Sequence, residues 1–132
     1  MVSRRLNESG AAAPLGRLIS VLHKAGSPLW RSLVASVTID RPVVVCDAAS
    51  PAQSAVLTAS PDQVLDGLLA VAGSVGAHRV YLWTPPGIGA VAVRRAMARR
   101  SGPVRVVVER TARPGDIVAD AATFAQLGRL LS

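Results

Sequence analysis

The side chains best suited to nucleophilic chemistry or metal binding in this sequence are one cysteine and two histidines. Cys46, His23 and His78 lie far apart along the chain, and the histidines lack the spacing that places two metal ligands on one helix face. A single cysteine excludes an intramolecular disulfide, a thiolate zinc site and a cysteine-ligated iron–sulfur cluster. Cys46 follows three valines, which favours a buried, inert thiol over a nucleophile. We therefore predict no catalytic residue and no metal site.

A turn between a predicted strand and a predicted helix is the first candidate binding site. Residues 84–89 contain Thr84, Gly87 and Gly89, and free amides at a helix N-terminus can bind phosphate. The segment matches neither the dinucleotide-binding fingerprint nor the lysine-containing P-loop, and its two prolines remove two amide donors. A phosphate site and a purely structural turn both stay open here, and the structural turn is favoured.

Four arginines on a predicted helix over residues 88–100 form the second candidate site. They are Arg94, Arg95, Arg99 and Arg100. Adjacent residues diverge by about 100° around a helix, so the four guanidinium groups spread over its polar side. This pattern indicates either a docking surface for an acidic protein or nucleic acid, or an ordinary solvated helix face. Aromatic residues make up only 3% of the chain, so a platform that stacks single-stranded bases is poorly supported.

The elements that must position these residues alternate between strand and helix, which is typical of right-handed crossovers and a mainly parallel sheet. Strands are predicted over 43–46, 79–83 and 104–109, helices over 14–22, 60–75, 88–100 and 120–131, and a polar loop over 47–59. Residues 29–37 are ambiguous. We predict a three-layer, Rossmann-like α/β domain over residues 14–132, with a mainly parallel sheet flanked by helices, after a flexible segment over 1–13.

The strongest of these helix signals begins at Ser60. Serine is a favoured N-cap residue, and the proline that follows it suits the first helical position. Asp62 lies in the first turn, where the helix dipole favours a negative charge, and Gly76 is placed to end the helix. Asp120 is the expected N-cap of the last helix.

Length, charge and apolar patterning narrow the class of protein. A chain of 132 residues fits one domain, and half of its side chains are hydrophobic, so it can bury a core. The formal net charge is +7. The longest apolar stretch, Val64 to Ala77, contains Asp66 and is shorter than the roughly 20 residues that a membrane-spanning helix needs. We therefore expect a cytoplasmic protein with no membrane insertion.

One segment of the chain carries a family resemblance. Residues 60–77 read SPDQVLDGLLAVAGSVGA, which closely resembles the helix D-P-H-x-L-I-E-G-x-x-I-A-x-Y-A-I-G-A of the flavin-binding 51 kDa subunit of respiratory NADH dehydrogenase. The same module serves related formate dehydrogenases and NAD-linked hydrogenases. Residues 79–83 resemble that family's next strand, and a weaker likeness extends from Ala25 to Gly128. The resemblance implies a degenerate and truncated flavin-binding domain, without the family's ubiquitin-like and iron–sulfur domains.

In that family three loops hold FMN and admit NADH, and the corresponding loops here have lost polar groups. Lys24 and Gly26 lie at the glycine-rich loop, where bulky neighbours should obstruct the flavin phosphate. Asp47 is the one carboxylate that matches an acidic stretch, and Asp120 lies where the third loop has a glycine. The resemblance therefore implies eroded cofactor-binding positions at these four residues and no bound cofactor.

Three hypotheses about function follow, in order of preference. The first is a non-catalytic accessory or regulatory subunit, which docks its arginine-rich helix on an oxidoreductase subunit. The second keeps FMN or NAD(H) between Asp47, Lys24 and residues 84–89, with electron transfer inside a complex. The third, which the sequence favours least, is a basic nucleic-acid-binding domain, whose affinity would fall steeply with salt.

Overall fold

The computed structural model describes residues 15–132, and a four-stranded sheet forms its centre. The strands are β1 (Val44–Asp47), β2 (Arg79–Trp83), β3 (Arg105–Glu109) and β4 (Ile117–Asp120). Their order is β3-β2-β1-β4, and every neighbouring pair is parallel. The predicted flexible segment over 1–13 and the predicted helix start at Pro14 lie outside the described residues.

Helices flank this sheet. They are α1 (15–24), α2 (Leu29–Ala35), α3 (Pro51–Ala59), α4 (Pro61–Val75), α5 (Ile88–Ala98) and α6 (Ala121–Leu131), with a 3₁₀ helix at Ser36–Thr38. The ambiguous residues 29–37 thus belong to α2 and the 3₁₀ turn. The predicted α/β class, a Rossmann-like parallel sheet flanked by helices, is confirmed, and β2 has the predicted bounds.

The predicted loop over 47–59 is wrong, because most of it forms α3. Ser50 has extended backbone angles, its hydroxyl accepts the Gln53 N–H at 3.2 Å, and a proline occupies the first helical position. The same serine–proline pair marks the start of α4. Hydrophobic periodicity misses α3 because it is rich in alanine, serine and threonine, and Leu57 is its one buried residue.

At the junction between α3 and α4, Ser60 does not have the capping role that the sequence predicts for it. Helix α4 begins after Ser60 and ends at Gly76, whose φ of 75° is the left-handed conformation that glycine adopts freely. The Ser60 hydroxyl, however, makes no capping hydrogen bond. Its backbone N–H donates to the Val56 carbonyl at 2.8 Å, so this residue ends α3 as well as preceding α4.

Alternation of side chains gives the sheet two different faces. One face, which we call the helix face, packs into the core under α4 and α6 through Val44, Cys46, Val80, Leu82, Val106, Val108, Ile117 and Ala119. The opposite face carries Val45, Asp47, Arg79, Tyr81, Trp83, Arg105, Val107, Glu109, Val118 and Asp120. Among the described residues, the layer over this face is the extended connection from β3 to β4, residues 110–116, which we call the strap.

The strand order explains why the strap lies on that face. The chain moves in one direction from β1 to β2 to β3, and then returns past β1 to form β4. Crossovers between parallel strands are right-handed, so reversing the direction moves the connection to the other side of the sheet. The strap is therefore expected opposite α4, and it covers this face without a helix of its own.

Contacts at both ends fix the strap. The Arg113 guanidinium carbon lies 3.8 Å from the centre of the Tyr81 ring, and two of its nitrogens donate to the Glu109 carboxylate at 2.7 Å each. At the other end, an Asp116 carboxylate oxygen accepts the Val43 N–H at 2.7 Å. The strap thereby holds β3 and β4 at opposite edges of one sheet.

Two glycines allow α4 and α6 to cross at very close range. A Cβ on Gly67 would lie far less than 3.0 Å from the Phe124 carbonyl oxygen, and a Cβ on Gly128 would lie equally close to the Gln63 carbonyl oxygen. Because both obstacles are backbone atoms, no rotamer change can make room. This reciprocal contact presses α6 onto α4 above the helix face of the sheet.

Candidate functional site

The carboxyl edge of the sheet is the place where this fold ordinarily binds ligands. The order β3-β2-β1-β4 reverses between β1 and β4, and ligands of parallel α/β sheets bind in the crevice outside the carboxyl ends at such a switch point. Register places Glu109, Trp83, Asp47 and Asp120 in one row along this edge. The structure thus brings together two of the residues that the resemblance singled out, Asp47 and Asp120.

Both of these carboxylates already serve the local backbone. An Asp47 oxygen accepts the Ala49 N–H at 3.0 Å. An Asp120 oxygen accepts the Thr123 N–H at 2.8 Å and the Thr123 hydroxyl at 2.6 Å, which confirms the predicted cap of α6. Each carboxylate therefore shapes the turn that follows its own strand.

Two backbone N–H groups in the first turn of α6 donate hydrogen bonds to side chains of this chain. The Ala122 N–H donates to the side-chain oxygen of Gln53 at 2.8 Å, and the Thr123 N–H donates to Asp120. Unpaired N–H groups at a helix N-terminus are what an anionic ligand would use. At the switch point two such donors are occupied, one by α3 and one by the N-cap of α6 itself.

The turn at residues 84–89 also contributes to the fold through a backbone hydrogen bond and a close helix contact. Thr84 is buried, and its N–H donates to the Glu109 carbonyl at 2.9 Å. A Cβ on Gly89 would lie 2.8 Å from the Ser54 hydroxyl oxygen, so this glycine lets α5 approach α3. Gly87 precedes α5 with a φ of 153°. Because the sequence predicts a loop over residues 47–59, it gives no sign of this contact between α5 and α3.

Lys24 and Gly26 lie at the end of α1. Gly26 has a φ of 75°, and the next residue, Ser27, donates its N–H to the Leu22 carbonyl at 3.0 Å, the pattern that closes a helix with a left-handed glycine. Lys24 is exposed beside it. Within residues 15–132, no hydrogen bond or ion pair joins this helix end to Asp47 or Asp120.

Cys46 is fully buried on the helix face of β1, as predicted. Burial raises the pKa of its thiol far above the ordinary value, and the negative charges of Asp120 and Asp47 raise it further. Because the thiolate is the reactive form, this cysteine is chemically quiet in the folded protein.

The four arginines of the predicted patch form two groups with different surroundings. Helix α5 ends at Ala98, two residues earlier than the predicted end at Arg100. Arg100 contacts Asp62 at 3.1 Å and Asp66 at 2.8 Å, and Arg99 contacts Asp62 at 3.2 Å. Arg94 and Arg95 are exposed on α5. The two aspartates lie four residues apart and therefore share one face of α4, which Arg99 and Arg100 approach from the end of α5.

Acid should weaken the contact between Arg100 and α4. The hydrogen bond from Arg100 lowers the pKa of the Asp62 carboxyl, so its stabilising effect is present above the unfolded pKa near 3.8 and disappears as the pH falls through the lower folded value. We expect Arg100→Gln to reduce the free energy of unfolding by about 0.5 kcal/mol at neutral pH, since the groups are largely exposed. Urea unfolding of both proteins should show this difference shrinking in acid, with Arg94→Gln as control. A difference independent of pH would contradict the assignment.

Three cavities in the structure lie away from the carboxyl edge. One of about 440 Å³ lies between α4, the end of α5 and β3, where Leu69, Met97 and Val104 form an apolar wall. A second, of about 320 Å³, lies at the amino ends of the strands, and a third lies between α3 and α6. None of these three is lined by the row of residues at the carboxyl ends of the strands.

Within residues 15–132, no group of three or more histidine, cysteine or acidic side chains is placed to hold a metal ion. None of the helices in the same range is long and apolar enough to cross a membrane. No family model, curated protein or solved structure matches the chain.

Proposed function

We propose that this chain is a non-catalytic accessory or regulatory subunit, which acts by binding a protein partner. The observation that carries the proposal is the occupied state of the α6 N-terminus at the switch point. There Gln53 and Asp120 accept the Ala122 and Thr123 amides, two donors that a phosphate could otherwise use. The Rossmann-like fold is present, while these two donors stabilise the fold itself instead of binding a ligand.

Electrostatics at the same edge support this proposal. Asp47 and Asp120 are register partners on neighbouring strands, so their charges lie side by side where a flavin or nicotinamide phosphate would enter. A phosphate there would have to displace capping groups worth about 1 kcal/mol each and would meet two like charges. A flavin enzyme needs the opposite arrangement, with free donors around the phosphate.

Helix α5 offers the surface on which a partner can dock. Ile88 is 74% exposed and Val91 is 48% exposed, and the exposed Arg94 and Arg95 follow one turn later. Exposed apolar side chains next to positive charge fit a partner surface that is apolar at its centre and acidic at its rim. We propose an oxidoreductase subunit as that partner, because of the family resemblance carried by residues 60–83.

The absorption spectrum of the purified full chain tests this function. We expect a colourless protein without the visible absorption of a flavin, whether or not FMN is supplied during expression, because the α6 amides are occupied. Denaturing the sample in air and recording the spectrum of the supernatant controls for a flavin that is reduced, and therefore colourless, in the folded state. Stoichiometric flavin in either spectrum would overturn the proposal and favour the electron-transferring alternative.

A further inference from the structure

The edge of the sheet opposite the candidate site contains an arginine-lined cavity. This cavity, of about 320 Å³, lies at the amino ends of β1, β2 and β3. Its walls include Arg41, His78, Arg79, Tyr81 and Arg105, and we call it the amino-edge pocket. Its volume is within the range of pockets that bind small molecules.

The register of the sheet concentrates positive charge in this pocket. Arg79 and Arg105 are direct partners across β2 and β3, so their side chains leave the same face side by side. Like charges in directly opposed positions of a sheet repel each other. Arg41 adds a third guanidinium from the loop before β1. All three arginines are exposed, so water screens their repulsion in part, and together they make the cavity attractive to an anion.

The carboxylates described near this pocket form no ion pair with its arginines. Asp116 is committed to the Val43 N–H at 2.7 Å. Asp40 precedes Arg41 in the chain and is exposed. Within residues 15–132, none of the ion pairs closer than 4.0 Å involves Arg41, Arg79 or Arg105.

Arg41, which lines the pocket, has a strained backbone. Its φ of 54° is the one positive value among the non-glycine residues of the described chain. A left-handed conformation costs a residue with a Cβ about 1 kcal/mol or more, and such strain persists where the surrounding structure requires it. Pro42, which follows, is buried and fixes the entry into β1.

We propose that the amino-edge pocket binds a small phosphorylated molecule that carries at least two negative charges. Guanidinium groups present paired donors that match phosphate oxygens, and they stay charged at every physiological pH. One carboxylate would neutralise a single arginine, whereas a diphosphate matches the combined charge of the three. This site is separate from the carboxyl edge, where a flavin would bind, since it lies at the other edge of the sheet.

Isothermal titration calorimetry of the full chain with inorganic pyrophosphate tests this proposal. We expect saturable binding of one pyrophosphate per chain, which Arg79→Gln and Arg105→Gln should each weaken about tenfold or more, because each removes charge-assisted hydrogen bonds. The matched control is Arg129→Gln on α6, which removes one positive charge from an exposed surface far from the pocket and should bind as the wild type does.

Thermal unfolding without ligand separates a binding role from a structural one. Because like charges repel in the empty pocket, Arg79→Gln and Arg105→Gln should unfold at the wild-type temperature or slightly above it. Three results would overturn the proposal: no pyrophosphate binding by the wild type, an equal loss in the Arg129→Gln control, or pocket variants that unfold well below the wild type. Tighter binding of single-stranded RNA than of pyrophosphate, at physiological salt and equal phosphate concentration, would also overturn it, since it would indicate a nucleic-acid surface.

Discussion

Replacing Gly67 with alanine should lower the free energy of unfolding by about 3 kcal/mol or more, or prevent folding. The added methyl group would meet the Phe124 carbonyl oxygen and carbon, which are backbone atoms of α6 and cannot rotate aside. Helices α4 and α6 would have to separate, and the packing of the buried Phe124 beneath them would loosen. Gly128→Ala should have a similar effect, because its obstacle is the Gln63 carbonyl on the other helix.

The matched control for this variant is Gly73→Ala on the same helix. A Cβ at Gly73 meets nothing within 4 Å, so the substitution should stabilise the protein by about 0.5 to 1 kcal/mol through helix propensity alone. Denaturant unfolding of the two variants gives the comparison. If Gly67→Ala proved as stable as Gly73→Ala, the close crossing of α4 and α6 would be wrong.

The second large effect concerns the reactivity of Cys46. In the native protein its thiol should react with a thiol reagent about a thousandfold more slowly than in the denatured chain, because it is buried and its pKa is raised. Reaction then requires an opening of the core, whose free energy approaches that of global unfolding. The ratio of native to denatured rates therefore measures the stability of the sheet centre.

A destabilised variant supplies the control for this rate. If Gly67→Ala folds, its Cys46 should react faster than that of the wild type in proportion to the loss of stability, whereas Gly73→Ala should react no faster. A native rate within tenfold of the denatured rate would show that Cys46 is accessible, and the core position of β1 would have to be revised.

The parts of the fold that sequence reasoning predicted carry strong local signals. Strand β2 has a dense apolar pattern, and α4 has a proline at its start and Gly76 at its end. The predicted bounds of both elements are therefore close to those in the structure. The parallel sheet followed from the alternation of strands and helices. Helix α3 was not predicted, because its serine–proline start was outweighed by a composition with few large apolar residues.

The candidate site was harder to predict, because its contacts join residues far apart in the chain. Asp47 and Asp120 were singled out through the resemblance, yet the capping of the Ala122 amide by Gln53 spans 69 positions. The pairing of Arg79 with Arg105 in the amino-edge pocket depends on sheet register. No local pattern in the sequence encodes either contact, so both required the three-dimensional arrangement.

The two edges of the sheet thus have contrasting chemistry. At the carboxyl edge, Gln53 and Asp120 occupy two amides of α6, and Asp47 and Asp120 bring negative charge, whereas at the amino edge Arg79 and Arg105 form no ion pair within residues 15–132. This polarity is the reverse of a nucleotide-binding domain, in which the carboxyl edge accepts the phosphates. The proposed non-catalytic function follows from that reversal.

Titration of the full chain with FMN and with NADH tests this central claim most directly. Trp83 lies in the row at the carboxyl edge, so a ligand bound there would change tryptophan fluorescence, and equilibrium dialysis measures the bound ligand independently. We predict no saturable binding of either compound at concentrations where flavin enzymes are saturated. Saturable, one-to-one binding of FMN or NADH that quenches tryptophan fluorescence would show that the carboxyl edge is open and would contradict the proposed function.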